Sequence, residues 1–264
     1  MKKEELAFLL DVKAIMEHSI FHLQSETRLD IRMAVNHAHQ AVELTLRKKA
    51  EHLGKNLYNF PDIVSALKKG GVKVPYGRQL EELNKTRVLI QHYGTTPDFN
   101  DAQRLVFVAK DFLIDFWTES LGADYNGVSL TDLVGNAKVR SVLKEAERTR
   151  NPEDRISKCV LATHMVGWWI DAAFYEKGPF AHPVDVVDTE VSDALDYVLD
   201  IALSGPYAYK LWKLRKQTGI VFLPIPGGKP VLQKMKQVRF SRRDAEQALE
   251  LAIEYALWAE QVYT

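Results

Sequence analysis

The sequence predicts an all-α protein built from up-and-down helical bundles, and three observations carry that prediction. Apolar residues recur three and four positions apart through nearly every long segment, as they must when one helical face is buried. Alternating apolar and polar runs, the mark of half-buried strands, are scarce. Glycine and proline gather between the periodic segments rather than inside them, where they act as stops.

Taken in order, the first helix is expected from Glu4 to about Ser25 and the second from about Leu29 to Leu53. No proline interrupts either, so they form a helix pair. LGKNLYNFPD breaks the period. Pro61 suits the first turn of a third helix, IVSALKKGG, because its missing N–H has no partner to lose there, and Gly70 and Gly71 end it. After VKVPYG, the run RQLEELNKTRVLIQHYG reads as a fourth helix that stops at Gly94, with Pro97 shortly beyond. FNDAQRLVFVAKDFLIDFWTESLG supplies a fifth helix of about six turns. GADYNGVSLTD is the clearest interruption, and it divides the chain into residues 1–122 and residues 128–264. The second part opens with NAKVRSVLKEAERTR and PEDRISKCVLATHMVGWWIDAAFYEKG. It continues through VSDALDYVLDIAL and PYAYKLWKLRKQ and ends in SRRDAEQALELAIEYALWAEQVY. TGIVFLPIPGGKP, rich in proline and glycine, reads as a loop or a short hairpin-like excursion.

The two parts resemble each other in order. DIRMAVNHAHQAVELTLRKKA compares with EDRISKCVLATHMVGWWIDAA, LEELNKTRVLIQH with YKLWKLRKQTGIV, and NDAQRLVFVAKDFLIDFW with RDAEQALELAIEYALWAE. The second part therefore reads as a degenerate repeat of the first.

Composition narrows the function classes. With 264 residues and 46% hydrophobic content, the chain can bury substantial cores. No apolar run approaches the ~20 residues a membrane span needs, and a cytoplasmic protein is expected. Cys159 is the single cysteine, which excludes an intrachain disulfide, and its place in CVLATHMVGWW marks it as a small core residue. Lysine plus arginine equals aspartate plus glutamate at 35 each, so no global field draws the chain to nucleic acid. The charges are nonetheless segregated. Six acids and no lysine or arginine lie between Ala181 and Asp200, and ten lysines and arginines and no acid lie between Ile201 and Arg243. Such blocks form solvated faces or pair with one another, and the basic one can also meet a polyanion.

The stretch TRVLIQHYGTTP carries the candidate chemistry. Arg87 and His92 stand in an R-x4-H spacing just before the Gly94 stop. Cations in the last turns of a helix are also what the helix dipole favours. Residues five apart lie about 140° apart around a helix and about 7.5 Å along it, so the two side chains do not make a compact pair. Asn84, Arg87 and Gln91 share one face, while Val88 lies on the side of His92. A site using both residues needs a groove, which an isologous dimer supplies by laying a second copy beside the first. Histidine there can take a proton from a ribose 2′-hydroxyl, and arginine's fork can hold the attacked phosphate. That chemistry requires no metal and no cofactor.

On these residues the N-terminal part resembles the HEPN domains, the higher-eukaryote and prokaryote nucleotide-binding family. LNKTRVLIQHYGTTPDFNDAQRLVFVAKDFL is similar to their C-terminal half, and HAHQAVELTLRKKAEHLGKNLYNFPDIVSALKKGG to their second and third helices. The resemblance implies a dimerising helical bundle and a metal-independent endoribonuclease of toxin–antitoxin or antiviral defence systems. Arg87 and His92 would be catalytic, acting on single-stranded RNA, and Asn84, Gln91, Tyr93 and Arg215 would contact substrate. Val88 follows the arginine where many members carry a polar residue, and Ile220 stands at the repeat position of His92. These departures motivate the alternative, a non-catalytic module that binds nucleotide or RNA, or that docks a nucleotidyltransferase or defence effector.

The remaining constellations have plainer readings. His18 and His22 share a helical face at a spacing that can bind a metal, yet no carboxylate or cysteine completes the set nearby, and no metal site is expected. They read as structural or surface histidines, or as lining the cleft of His92. His37 and His39, two apart, point in different directions, and Asn36, His37 and Gln40 suit polar core contacts. Trp168 and Trp169 read as core or interface anchors. GKPVLQK lacks the form of a phosphate-cradling loop.

Overall fold

The structure, a computed structural model, describes residues 2–177, 204–218, 220–223, 231–234 and 239–263. It is all-α apart from one two-stranded hairpin among the described residues. The chain separates into two compact units, Met1–Ser129 and Leu130–Thr264, and the division falls inside GADYNGVSLTD. No described helix is long and apolar enough to cross a membrane.

The first unit contains α1 (Lys3–His22), α2 (Arg28–His52), α3 (Phe60–Lys69), α4 (Gly77–Tyr93) and α5 (Phe99–Phe116), which runs on into a π turn, Trp117–Leu121. Caps explain where the helices begin. Thr27 accepts a hydrogen bond from Asp30 N at the start of α2, and Asp98 accepts one from Asn100 N at the start of α5, each satisfying a backbone donor with no partner inside the helix. Pro61 stands in the first turn of α3, where a missing N–H is harmless. Gly94 ends α4 in the left-handed region, φ 64°, which glycine enters without a Cβ clash.

α2 is the central strut, packing on α1, α3, α4 and α5. Its apolar stripe of Ile31, Ala34, Val35, Ala38 and Val42 is buried against Val12 and Met16 of α1, Leu83 of α4, and Leu105 and Phe112 of α5. Trp117 closes the core at 0% exposure. A fully buried large apolar side chain of this kind contributes roughly 1.5–3 kcal/mol.

The second unit contains α6 (Ala137–Arg148), α7 (Pro152–Lys177), α8 (Ala208–Thr218), the antiparallel strands β1 (Ile220–Leu223) and β2 (Val231–Lys234), and α9 (Arg242–Tyr263). Ala245, Ala248, Ala252, Ala256 and Ala259 recur every three or four residues along α9 and are all buried. Their small side chains let α9 pack closely on α7, where Ile156, Cys159, Val160, Val166 and Ile170 complete the core. Trp169 packs against this core, while Trp168 stays 43% exposed. TGIVFLPIPGGKP thus contains a hairpin in which Leu223 faces Val231 in register.

Candidate functional site

α2 carries a polar row on each flank of its apolar stripe. At 100° per residue, Arg32, Asn36, His39 and Glu43 form one row, and Asp30 and His37 lie about 140° away from it. The first row faces α4 and the second faces α1.

Hydrogen bonds fix the α4 side. His39 Nε2 donates to Asn84 Oδ1 at 2.9 Å. Just past the end of α4, ten and twelve residues beyond Asn84, Arg32 donates to the Gly94 carbonyl and, through Nε, to Thr96 Oγ1 at 2.7 Å. The two helices therefore run antiparallel, and Arg32 ties down the turn that follows the candidate motif. Between those anchors lies Asn36, whose Oδ1 is buried with no hydrogen-bond partner among the described residues. Glu43 is held by Arg47 at 2.5 Å and stands 3.5 Å from His39 Nδ1, outside hydrogen-bond range. Burial pushes the His39 imidazole below its ordinary value. The Arg87 charge adds to that shift, against Glu43 and the Asn84 hydrogen bond.

Arg87 is half-buried at the edge of this seam, and among the described residues it makes no ion pair or hydrogen bond. A part-desolvated guanidinium without a carboxylate favours an anion. His92 lies on another side of α4 and is exposed, as are Gln91 and Tyr93, the latter at 74%. One chain thus brings Arg87 and Asn84 together around His39 but leaves His92 facing outward. Leu89, 47% exposed, and Tyr93 sit four apart on that same outward face. Arg215, half-buried in the last turn of α8, belongs to the second unit. Ile220, the repeat counterpart of His92, opens strand β1 instead of closing a helix.

His39, Asn36 and Arg32 are the seam members that sequence reasoning missed as a set. The signal was present in their spacing of three and four residues, but nothing local says which helix that flank meets.

The α1 side differs from expectation as well. His18 and His22 do not line a cleft with His92, because they face the opposite flank of α2. His37 joins them there, with ring centroids 5.0 Å from His18 and 5.5 Å from His22. A carboxylate also arrives, since His22 Nδ1 lies 2.7 Å from Asp30 Oδ1. Hydrogen bonds from Ser25, Thr27 and His22 hold the Asp30 carboxyl down at about 2. Burial, followed by the charges of His18 and His22, lowers the His37 imidazole, with Gln40 opposing.

In the second unit a groove of about 760 Å³ is lined by Lys210, Lys213 and Arg239 opposite Asp244, Glu250 and Glu254. Lys210 and Glu254 pair at 3.7 Å, so α9 partly neutralises the basic block. The acidic block, residues 181–200, lies outside the described residues.

No protein-family model, no curated protein and no solved structure matches this chain.

Proposed function

We propose that the first unit is a metal-independent endoribonuclease of HEPN type that acts as a homodimer. The carrying observation is the half-buried Arg87 guanidinium with no carboxylate partner among the described residues, five residues before an exposed imidazole. Arg87 holds the scissile phosphate of a single-stranded RNA and offsets charge as it develops. His92 takes the 2′-hydroxyl proton and returns it to the leaving oxygen. Because the two side chains leave α4 on different sides, His92 works against the Arg87 of a second copy, and the exposed Leu89 and Tyr93 supply apolar contact for that copy. Asn84 and His39 hold the seam beneath Arg87 in register, while the exposed Gln91 and Tyr93 contact the RNA.

The test is cleavage of single-stranded RNA in EDTA by the wild type, Arg87→Ala and His92→Ala, with folding checked by circular dichroism. Loss of His92 is expected to lower the rate by about 10²- to 10⁴-fold. A folded His92→Ala protein with wild-type activity would remove the catalytic role, and a wild type inactive in EDTA but folded would remove the metal-free mechanism. RNA retained tightly with no products, by wild type and variants alike, would make the unit a binding module that serves a nucleotidyltransferase or defence effector.

A further inference from the structure

We propose that His18, His22 and His37 bind a divalent transition-metal ion of the zinc class through their imidazole nitrogens, pinning α1 to α2. One ligand-capable nitrogen from each ring lies within 4.8 Å of the others. His18 and His22 are one turn apart on α1 with ring centroids 4.6 Å apart, and His37 arrives from the antiparallel α2. Tetrahedral zinc with bonds of about 2.0–2.1 Å places its nitrogens about 3.3 Å apart, so the rings need only swing inward. His18, which is exposed, has the room to do so.

Two further observations point to a ligand. Asp30 Oδ1 meets His22 Nδ1 at 2.7 Å while its other oxygen accepts from the Thr27 hydroxyl. A carboxylate behind a histidine in this way fixes the ring's orientation, keeps the proton on the Nδ1 that faces it and leaves the Nε2 lone pair free to bind a metal. His37 Nε2 is shielded from solvent and has no hydrogen-bond partner among the described residues, although buried ring nitrogens ordinarily find one. A bound ion supplies the missing partner. Three neutral nitrogens favour Zn²⁺ and its neighbours over Ca²⁺ or Mg²⁺, which take oxygen. A fourth position is left toward solvent on the His18 side.

The experiment uses untagged full-length protein, stripped with EDTA and buffer-exchanged. It is titrated with Zn²⁺ against a chromophoric chelator and with Co²⁺ by visible absorption. One ion per chain is expected, with Zn²⁺ raising the melting temperature. His18→Ala and His37→Ala should each weaken binding at least about 10-fold and Asp30→Asn about 10- to 100-fold. His52→Ala, which removes an exposed histidine elsewhere, should leave binding unchanged. His18→Ala keeps the test decisive should His37→Ala fail to fold. Absence of saturable binding, or binding unaffected by His18→Ala, would overturn the assignment. Because the readout is metal affinity, its result is separate from that of the RNA assay.

Discussion

Burial pushes the Cys159 thiol up to about 12, against the nearby Arg155 charge, which pulls it down. The folded chain therefore holds this proton more tightly than the unfolded chain, whose thiol titrates near 8.5. The corresponding stability is present below about 8.5 and is lost as pH rises toward the folded value. The thiol is also 0% exposed, so a disulfide reagent at pH 8 should label the native protein only as fast as it opens, and label the denatured protein at once. Prompt one-to-one labelling of native protein would contradict this burial. The sequence marked Cys159 as core from its apolar neighbours, and it marked Arg87 and His92 from their types and spacing. It did not show that Arg87 lacks a carboxylate partner among the described residues, because that depends on which side chains the neighbouring helices bring beside it.

Among the elements, helix ends were the more legible feature. Gly94 and Gly205 both adopt left-handed conformations, φ 64° and 52°, yet their surroundings differ. A Cβ on Gly94 meets nothing within 4 Å, whereas one on Gly205 lies 2.7 Å from Cζ2 of Trp258. Gly94→Ala should therefore cost about 1–2 kcal/mol, the price of the backbone conformation, and Gly205→Ala about 1–3 kcal/mol more for overpacking. Thermal melts of the two variants check the order, and an equal loss would show that Trp258 moves aside freely. Asn136 caps α6 by accepting from Lys138 N and Val139 N, so Asn136→Ala should lower stability by about 1 kcal/mol in the same measurement. The period of α2 reveals which residues share a flank. It cannot reveal that one flank meets α4 and the other α1, because every amphipathic helix offers the same flanks to any neighbour. The histidine cluster stayed hidden for that reason, its third member lying on a different helix from the first two.

For the whole molecule, each unit has its own buried cluster, one around Val35, Leu83 and Phe112 and one around Val160, Leu143 and Tyr255. A chain with a complete core can fold alone. Residues 1–129, expressed separately, should be helical and unfold cooperatively. Trp117 is the only tryptophan in that segment and is fully buried, so its emission should be blue-shifted and move to the red on denaturation. Red emission from the native fragment would mean that the first unit depends on the second.

The sequence by itself determined the helical class, the position of the break between the two units, the stops at Gly70, Gly71 and Gly94, and the R-x4-H spacing. All of these follow from local periodicity, backbone sterics and capping, which act over a few residues. Tertiary structure alone decided that His39 and Asn84 meet beneath Arg87, that Asp30 backs His22, and that His37 closes on His18. Those contacts join residues 8 to 45 positions apart, and such pairings depend on how helices pack, which no short-range pattern encodes.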